Sequence, residues 1–253
     1  MNINGLGVIV TGGGSGLGAA TAEKLAGLGA KVGVVDLNAG AAEAVAGRIG
    51  GLALPGDVAD ASAMESAFAA ARAAHGPCRV LVNCAGIGVA KRVVGRDGAM
   101  PLGDFERVIR VNLVGTFNMM RLAGAEMSKA EPLADGERGV IISTASVAAF
   151  EGQVGQAAYA ASKGGIAALT LPVARELANF GIRVLTIAPG LFFTPLMETL
   201  PPEVQKSLGA SIPFPSRLGG AAEYASLVQH MVENVYLNGE TVRLDGALRL
   251  PPK

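Results

Sequence analysis

The 253-residue chain has no tryptophan, two histidines and two cysteines, and its acidic and basic residues balance at 21 each. His75 and His230 stand far apart in helix-like stretches with no cysteine cluster around them. That leaves little material for a nitrogen- or sulfur-ligated centre, so no metal is expected and both histidines are read as helix-surface residues. No G-x-S-x-G elbow occurs, which argues against a Ser-His-Asp hydrolase. Cys78 and Cys84 flank one apparent strand, a poor geometry for a disulfide, so a reducing cytoplasm is expected. With zero net charge and no arginine-rich run, there is no field to hold a nucleic-acid backbone. No window approaches the roughly 20 apolar residues of a membrane span. Met1 to Gly7 carries no basic stretch of the kind that opens a secretory or transit peptide.

Small residues are what the chain has in quantity: 44 alanines and 36 glycines. Short β-branched runs alternate with Ala/Leu-rich helical stretches. The runs are Gly7 to Thr11, Lys31 to Val35, Leu52 to Leu54, Val80 to Asn83, Val140 to Ser143, Ile182 to Ile187 and Glu240 to Leu244. Helices are expected from about Ser15, over Ala41 to Ile49, over Ser62 to His75, and from about Tyr159 to Phe180 with a kink at Pro172. Runs such as Val32 to Val35 are apolar without alternation, as strands covered on both faces are. The rhythm predicts a single α/β domain, residues 1–253, built on a Rossmann-type, doubly wound, parallel seven-stranded sheet.

Directly after the first run comes Thr11-Gly12-Gly13-Gly14-Ser15-Gly16-Leu17-Gly18. Glycines let a backbone turn approach a pyrophosphate, and the helix that follows offers N–H groups and a positive dipole end. Gly12, Gly16 and Gly18 are therefore candidate dinucleotide-binding residues. Asp36 ends the second run, where a carboxylate can accept the ribose hydroxyls of an adenosine. It would repel a 2′-phosphate, and neither Leu37-Asn38 nor Ser15 supplies a compensating cation. The expected cofactor is NAD rather than NADP.

The fifth run leads into Ser143-Thr144-Ala145-Ser146, and Tyr159 and Lys163 follow at a spacing of four that puts them on one helix face. Together with Asn83-Cys84-Ala85-Gly86, Asn112 in a helix, and Pro189-Gly190-x-x-x-Thr194, these motifs resemble the short-chain dehydrogenase/reductase family over essentially the whole chain. The stretches Ala145 to Tyr159, Ile187 to Phe192 and Pro213 to Leu218 look like its type II 3-hydroxyacyl-CoA dehydrogenase group, also called 17β-hydroxysteroid dehydrogenase type ten. The resemblance implies that Ser146 holds the substrate oxygen, Tyr159 exchanges its proton, Lys163 holds the nicotinamide ribose, Asn112 supports a water relay, and Gln156 meets substrate. It further implies cofactor contacts from Ser15, Leu17, Asp57, Val58, Cys84, Phe192 and Thr194, and a homotetramer built on the long helices and the carboxyl-terminal segment.

The ammonium and a positive nicotinamide should lower the tyrosine's pKa toward the working range. Ser143, inside its strand, is a competing serine with a structural role expected. Residues 191–218, apolar and interrupted by five prolines, read as a lid over an acyl chain or sterol, with plain packing or a subunit contact as the alternative. Lys91, Arg92 and Arg96 read as solvated charges, with CoA phosphates as the alternative. The expected activity is NAD-dependent interconversion of L-3-hydroxyacyl-CoA and 3-ketoacyl-CoA. Alternatives are a hydroxysteroid or other secondary-alcohol dehydrogenase, and a non-catalytic dinucleotide sensor or scaffold.

Overall fold

A computed structural model describes residues 1–198 and 201–252. Three βα units and a fourth strand open the chain, with β1 Gly7–Thr11, α1 Gly16–Gly27, β2 Lys31–Asp36, α2 Ala39–Ile49, β3 Leu52–Pro55, α3 Ala61–His75 and β4 Cys78–Asn83. A small exposed hairpin follows, β5 Val94–Gly95 and β6 Gly98–Ala99. Next come α4 Leu102–Ile109, a π-helical turn at Arg110–Val114, α5 Gly115–Met127, β7 Gly139–Thr144, α6 Ala157–Ala178 and β8 Ile182–Pro189. The chain continues through α7 Pro195–Glu198, α8 Pro202–Ala210, α9 Ala221–Glu233 and β9 Thr241–Leu244. The expected helix from Tyr159 to Phe180 is α6, and it runs through Pro172 without a break.

The main sheet has the order β3-β2-β1-β4-β7-β8-β9, and every pairing is parallel. Strands grow outward from β1 in one direction and from β4 in the other, so the order reverses between them. Ligands in such sheets bind beyond the carboxyl ends at this switch point. Successive strand residues face opposite sides. Val8, Val10, Val80 and Val82 pack against Leu25 of α1 and Tyr224, Val228 and Met231 of α9. Ile9, Leu81 and Ile141 pack against Met64 and Phe68 of α3 and Met119 and Met127 of α5. Burial on both faces is why these strands read as unbroken apolar runs.

Helix starts follow their side chains: Asn38 accepts from the Ala41 N–H and Asp60 from the Ala63 N–H. Helix α1 differs, because Ser15 at its N-cap makes no side-chain cap bond. The chain leaves the sheet after Leu191 and returns at Gly219, and the base of this excursion is closed by bonds from Phe193 N to Gly219 O at 2.8 Å and from Gly219 N to Leu191 O at 2.9 Å. Leu200 of the expected lid, and the side chain of Leu196, lie outside the described residues.

His75, expected on a helix surface, is half-buried at the end of α3 with Nδ1 unpartnered, and burial lowers its pKa. His230 is exposed, as expected. Both cysteines are free thiols. Burial pushes both upward in pKa, so they stay protonated. No helix of the described residues is long and apolar enough to cross a membrane, and no group of three or more potential metal-ligating side chains occurs among them.

Candidate active site

The glycine turn after β1 is shaped by close approach. Gly12 has φ +62°, and a Cβ there would lie 2.8 Å from the Ala85 backbone. At Gly14 a Cβ would lie 2.8 Å from Asp36 Oδ2, which instead accepts from the Gly14 N–H at 2.9 Å. The other Asp36 oxygen accepts from Asn38 N at 2.9 Å, so two backbone donors aim this carboxylate at the end of β2. A helix start without a side-chain cap, backed by a turn that side chains would fill, fits an anionic pyrophosphate. Thr11 Oγ1 accepts from Ala85 N at 3.1 Å and so ties the turn to the segment after β4.

Beyond the strand ends lies a cleft of about 930 Å³. Gly12, Ser15, Gly16, Leu17, Gly18, Asp36, Asp57, Val58, Cys84, Ser146, Gln156, Tyr159, Lys163, Phe192 and Thr194 all line it. Every residue expected at the cofactor or substrate is thus brought to one cavity, and Leu37, Val111 and Met197 line it as well. Asn112 is the exception: it is fully buried behind the cleft wall. Its Oδ1 accepts from Ile87 N at 2.8 Å, and its Nδ2 donates to Ile87 O at 2.9 Å and Ser162 Oγ at 3.0 Å. The side chain therefore clamps the segment after β4, and its place on a π-helical turn rather than in a regular helix widens the coil there.

Tyr159 and Lys163 lie one turn apart on α6, with Lys163 Nζ 5.7 Å from the Tyr159 ring centroid. The ammonium donates to the Thr144 carbonyl at 2.7 Å. Thr144 is itself held: its hydroxyl donates to Asn83 O at 2.6 Å and lies 2.7 Å from the hydroxyl of buried Tyr224. Gly86 leaves room for this group, since a Cβ there would stand 3.3 Å from Asn112 Oδ1 and 3.5 Å from Lys163 Nζ. Ser146 accepts from the Ala148 N–H at 3.1 Å and lines the same cleft as Tyr159. Ser143 is buried in β7, taking the Asn83 amide at 3.3 Å, which is a structural role.

The protein's own groups do not by themselves supply the expected lowering at Tyr159. The Tyr159 phenol is raised above its ordinary value, because burial outweighs the opposing pull of the Ser146 hydroxyl. Burial also brings Lys163 down to about 8, which weakens the cation expected to lower its neighbour. Lys91 pairs with Asp104, and the side chains of Lys91, Arg92 and Arg96 are exposed, as either reading of them requires. Sequence patterns did not reveal the Thr144 carbonyl, a main-chain atom any residue could provide.

A parallel sheet with a capless glycine turn at its switch point, and a serine, tyrosine and lysine converging across the same cleft, defines a dinucleotide-dependent oxidoreductase. The profile of the short chain dehydrogenase family matches residues 7–205, and the chain belongs to that family. The 3-hydroxyacyl-CoA dehydrogenase type-2 of Bos taurus is 54% identical over 255 aligned positions, covering 99% of this chain and 98% of that protein. The crystal structure of 3-hydroxyacyl-CoA dehydrogenase type-2 from Mycobacterium avium superposes with a TM-score of 0.95 at 43% identity, over 98% of both chains. The 3-ketoacyl-(acyl-carrier-protein) reductase of Brucella melitensis, solved as a complex with NADH, gives 0.87 at 30% identity, over 98% of this chain and 100% of that one.

Proposed function

We propose that this chain is an NAD-dependent oxidoreductase interconverting L-3-hydroxyacyl-CoA and 3-ketoacyl-CoA, with Tyr159 as general acid and base. The observation that carries the reading is the convergence of Ser146, Tyr159 and Lys163 on the cleft that also holds Asp36 and the glycine turn. The kinship with 3-hydroxyacyl-CoA dehydrogenases supports the substrate class.

The chain's residues divide the work as follows. The α1 N–H groups and the glycine turn hold the pyrophosphate, and Asp36 accepts the adenosine ribose hydroxyls while disfavouring a 2′-phosphate. Leu17, Asp57 and Val58 flank the adenosine, and Cys84, Phe192 and Thr194 the nicotinamide side. When bound, NAD supplies the hydride acceptor at the carbinol carbon. Ser146 donates to the substrate oxygen. Tyr159 Oη takes the hydroxyl proton in oxidation and returns it in reduction. Lys163 spends one N–H on Thr144 O and offers the others to the nicotinamide ribose, with Asn112 holding the wall behind it. Its cationic form, dominant below pH of about 8, favours the phenolate. Gln156 borders the acyl group, and residues 191–218 cover it and exclude water.

We further read the molecule as a homotetramer. Val114, Phe117 and Leu171 are each more than two-fifths exposed on adjoining helices, which supports a subunit contact there. The free thiols fit a reducing, cytoplasmic compartment.

The test follows NADH spectrophotometrically. Acetoacetyl-CoA should be reduced with a kcat/KM well above the value for NAD reduction by a hydroxysteroid. A higher value for the steroid would move the substrate class. Tight NADH binding with no turnover of either would leave a sensor or scaffold.

A further inference from the structure

We infer that residues 245–252, following β9, form a clasp that fixes the two walls of the acyl end of the cleft, with Glu151 and Arg243 as its positioning residues. This rests on the reading that an acyl substrate lies beside Ser146 and Gln156. Glu151 belongs to the segment between the Ser146 turn and α6, and Arg243 to β9. The guanidinium donates from Nη1 to Glu151 Oε1 at 2.8 Å, from Nη2 to Oε2 at 3.1 Å, and from Nε to Asp245 Oδ2 at 2.7 Å. Leu250 N donates to Glu151 Oε2 at 3.1 Å, and Arg249 reaches Glu151 at 3.3 Å and Asp245 at 3.2 Å. Val154 N donates to Pro252 O and Gln153 Nε2 to Pro251 O, each at 3.1 Å. Gln153 N in turn donates to the side chain of Gln156 at 3.1 Å, on the cleft wall.

The same segment also holds Gly190, on the cleft wall, and residues 212–214 of the proposed cover. Phe214 N donates to Gly246 O at 3.2 Å, and Gly246, at φ +58°, sits where a Cβ would lie 2.6 Å from Ile212. At Gly190, which lines the cleft, the N–H donates to Leu244 O at 2.9 Å and a Cβ would lie 2.8 Å from Asp245 Cβ. Segments 150–156 and 212–214 thus meet through one short stretch of chain. Its ion pairs are partly exposed, so each adds little to global stability. The bidentate fork instead supplies geometry, fixing where the wall stands.

The test uses Glu151→Gln, which keeps the size and loses the charge, and Arg243→Lys, which keeps the charge and loses the fork. Expected in both is a KM for acetoacetyl-CoA raised about five- to tenfold, with kcat within about twofold and the NADH Kd unchanged. Amide hydrogen exchange should quicken in 150–156 and 212–218 but not in β1 or β4. Wild-type KM and exchange would overturn the clasp. So would a parallel loss of NADH affinity and faster exchange throughout, which is simple destabilisation. Should neither variant fold, Gln153→Ala removes the bond to Pro251 and is expected to give the same pattern at smaller size. If the wild type fails to reduce acetoacetyl-CoA, the substrate reading falls, and the exchange measurement still decides the clasp.

Discussion

Tyr159 and Lys163 stand in an environment that penalises both of their charged forms. Burial raises the phenol and brings the ammonium down to about 8. Removing the phenolic oxygen leaves the cleft intact but deletes the proton carrier. Tyr159→Phe should therefore lower kcat by on the order of 10² to 10⁴, the scale of a positioned acid/base. Single-turnover hydride transfer checks this, and a near wild-type rate would remove Tyr159 from the mechanism. The lysine also leaves a mark on stability. Between about pH 8 and its ordinary 10.5, folded Lys163 binds fewer protons than unfolded Lys163, so its contribution to stability rises with pH through that window. Below about pH 8 the cost of burying the cation is felt in full. The raised thiols Cys78 and Cys84 and the raised tyrosines act oppositely at higher pH, so the lysine is read as a difference between proteins. From about pH 7.5 to 10, urea unfolding should shift in favour of wild type over Lys163→Met by roughly 2 to 3 kcal/mol. Parallel curves for the two proteins would assign the pH dependence elsewhere.

At the scale of elements, the π-helical turn at Arg110–Val114 and the segment after β4 form one unit joined by Asn112. Asn112→Ala would leave the Ile87 N–H and C=O without partners beside the cleft. That should cost roughly 2 to 4 kcal/mol and lower the melting temperature by roughly 4 to 16 °C. Calorimetry checks it, and an unchanged melting temperature would mean that water replaces the amide. The turn itself was not legible in the sequence, since Arg-Val-Asn-Leu-Val carries no signal separating a π turn from a regular helix. Strands and most helices were legible, because two-sided burial writes apolar runs and because Asn38 and Asp60 stand at helix starts. The glycine turn and the Tyr159–Lys163 spacing were legible too, each being local. The hairpin at 94–99 and the short helices α7 and α8 were hidden by prolines, glycines and charges that also suit irregular loops. The Glu151–Arg243 pair was hidden by 92 residues of separation, which no local pattern spans.

At the scale of the whole molecule, the outer face of α5 and α6 carries exposed apolar side chains. Gly165 on α6 closely approaches Leu113, and Gly124 on α5 approaches Leu177, so the two helices run side by side in the same direction. That register sets Leu171 level with Phe117, while Val114 lies one turn before Phe117 on the same face. All three project apolar surface into solvent although the core is already complete behind them at Met119 and Met120. A contiguous apolar face of this kind is the usual mark of association, and closed symmetry would bring it against its own copy. Phe117→Glu would then set like charges opposite each other across a two-fold interface, while its position outside the cleft leaves the monomer's chemistry untouched. Light scattering coupled to gel filtration should find the wild type tetrameric and this variant reduced to dimers or monomers, with NADH still bound. A wild type that runs as a monomer, or a variant that stays tetrameric, would show that these helices do not form the contact.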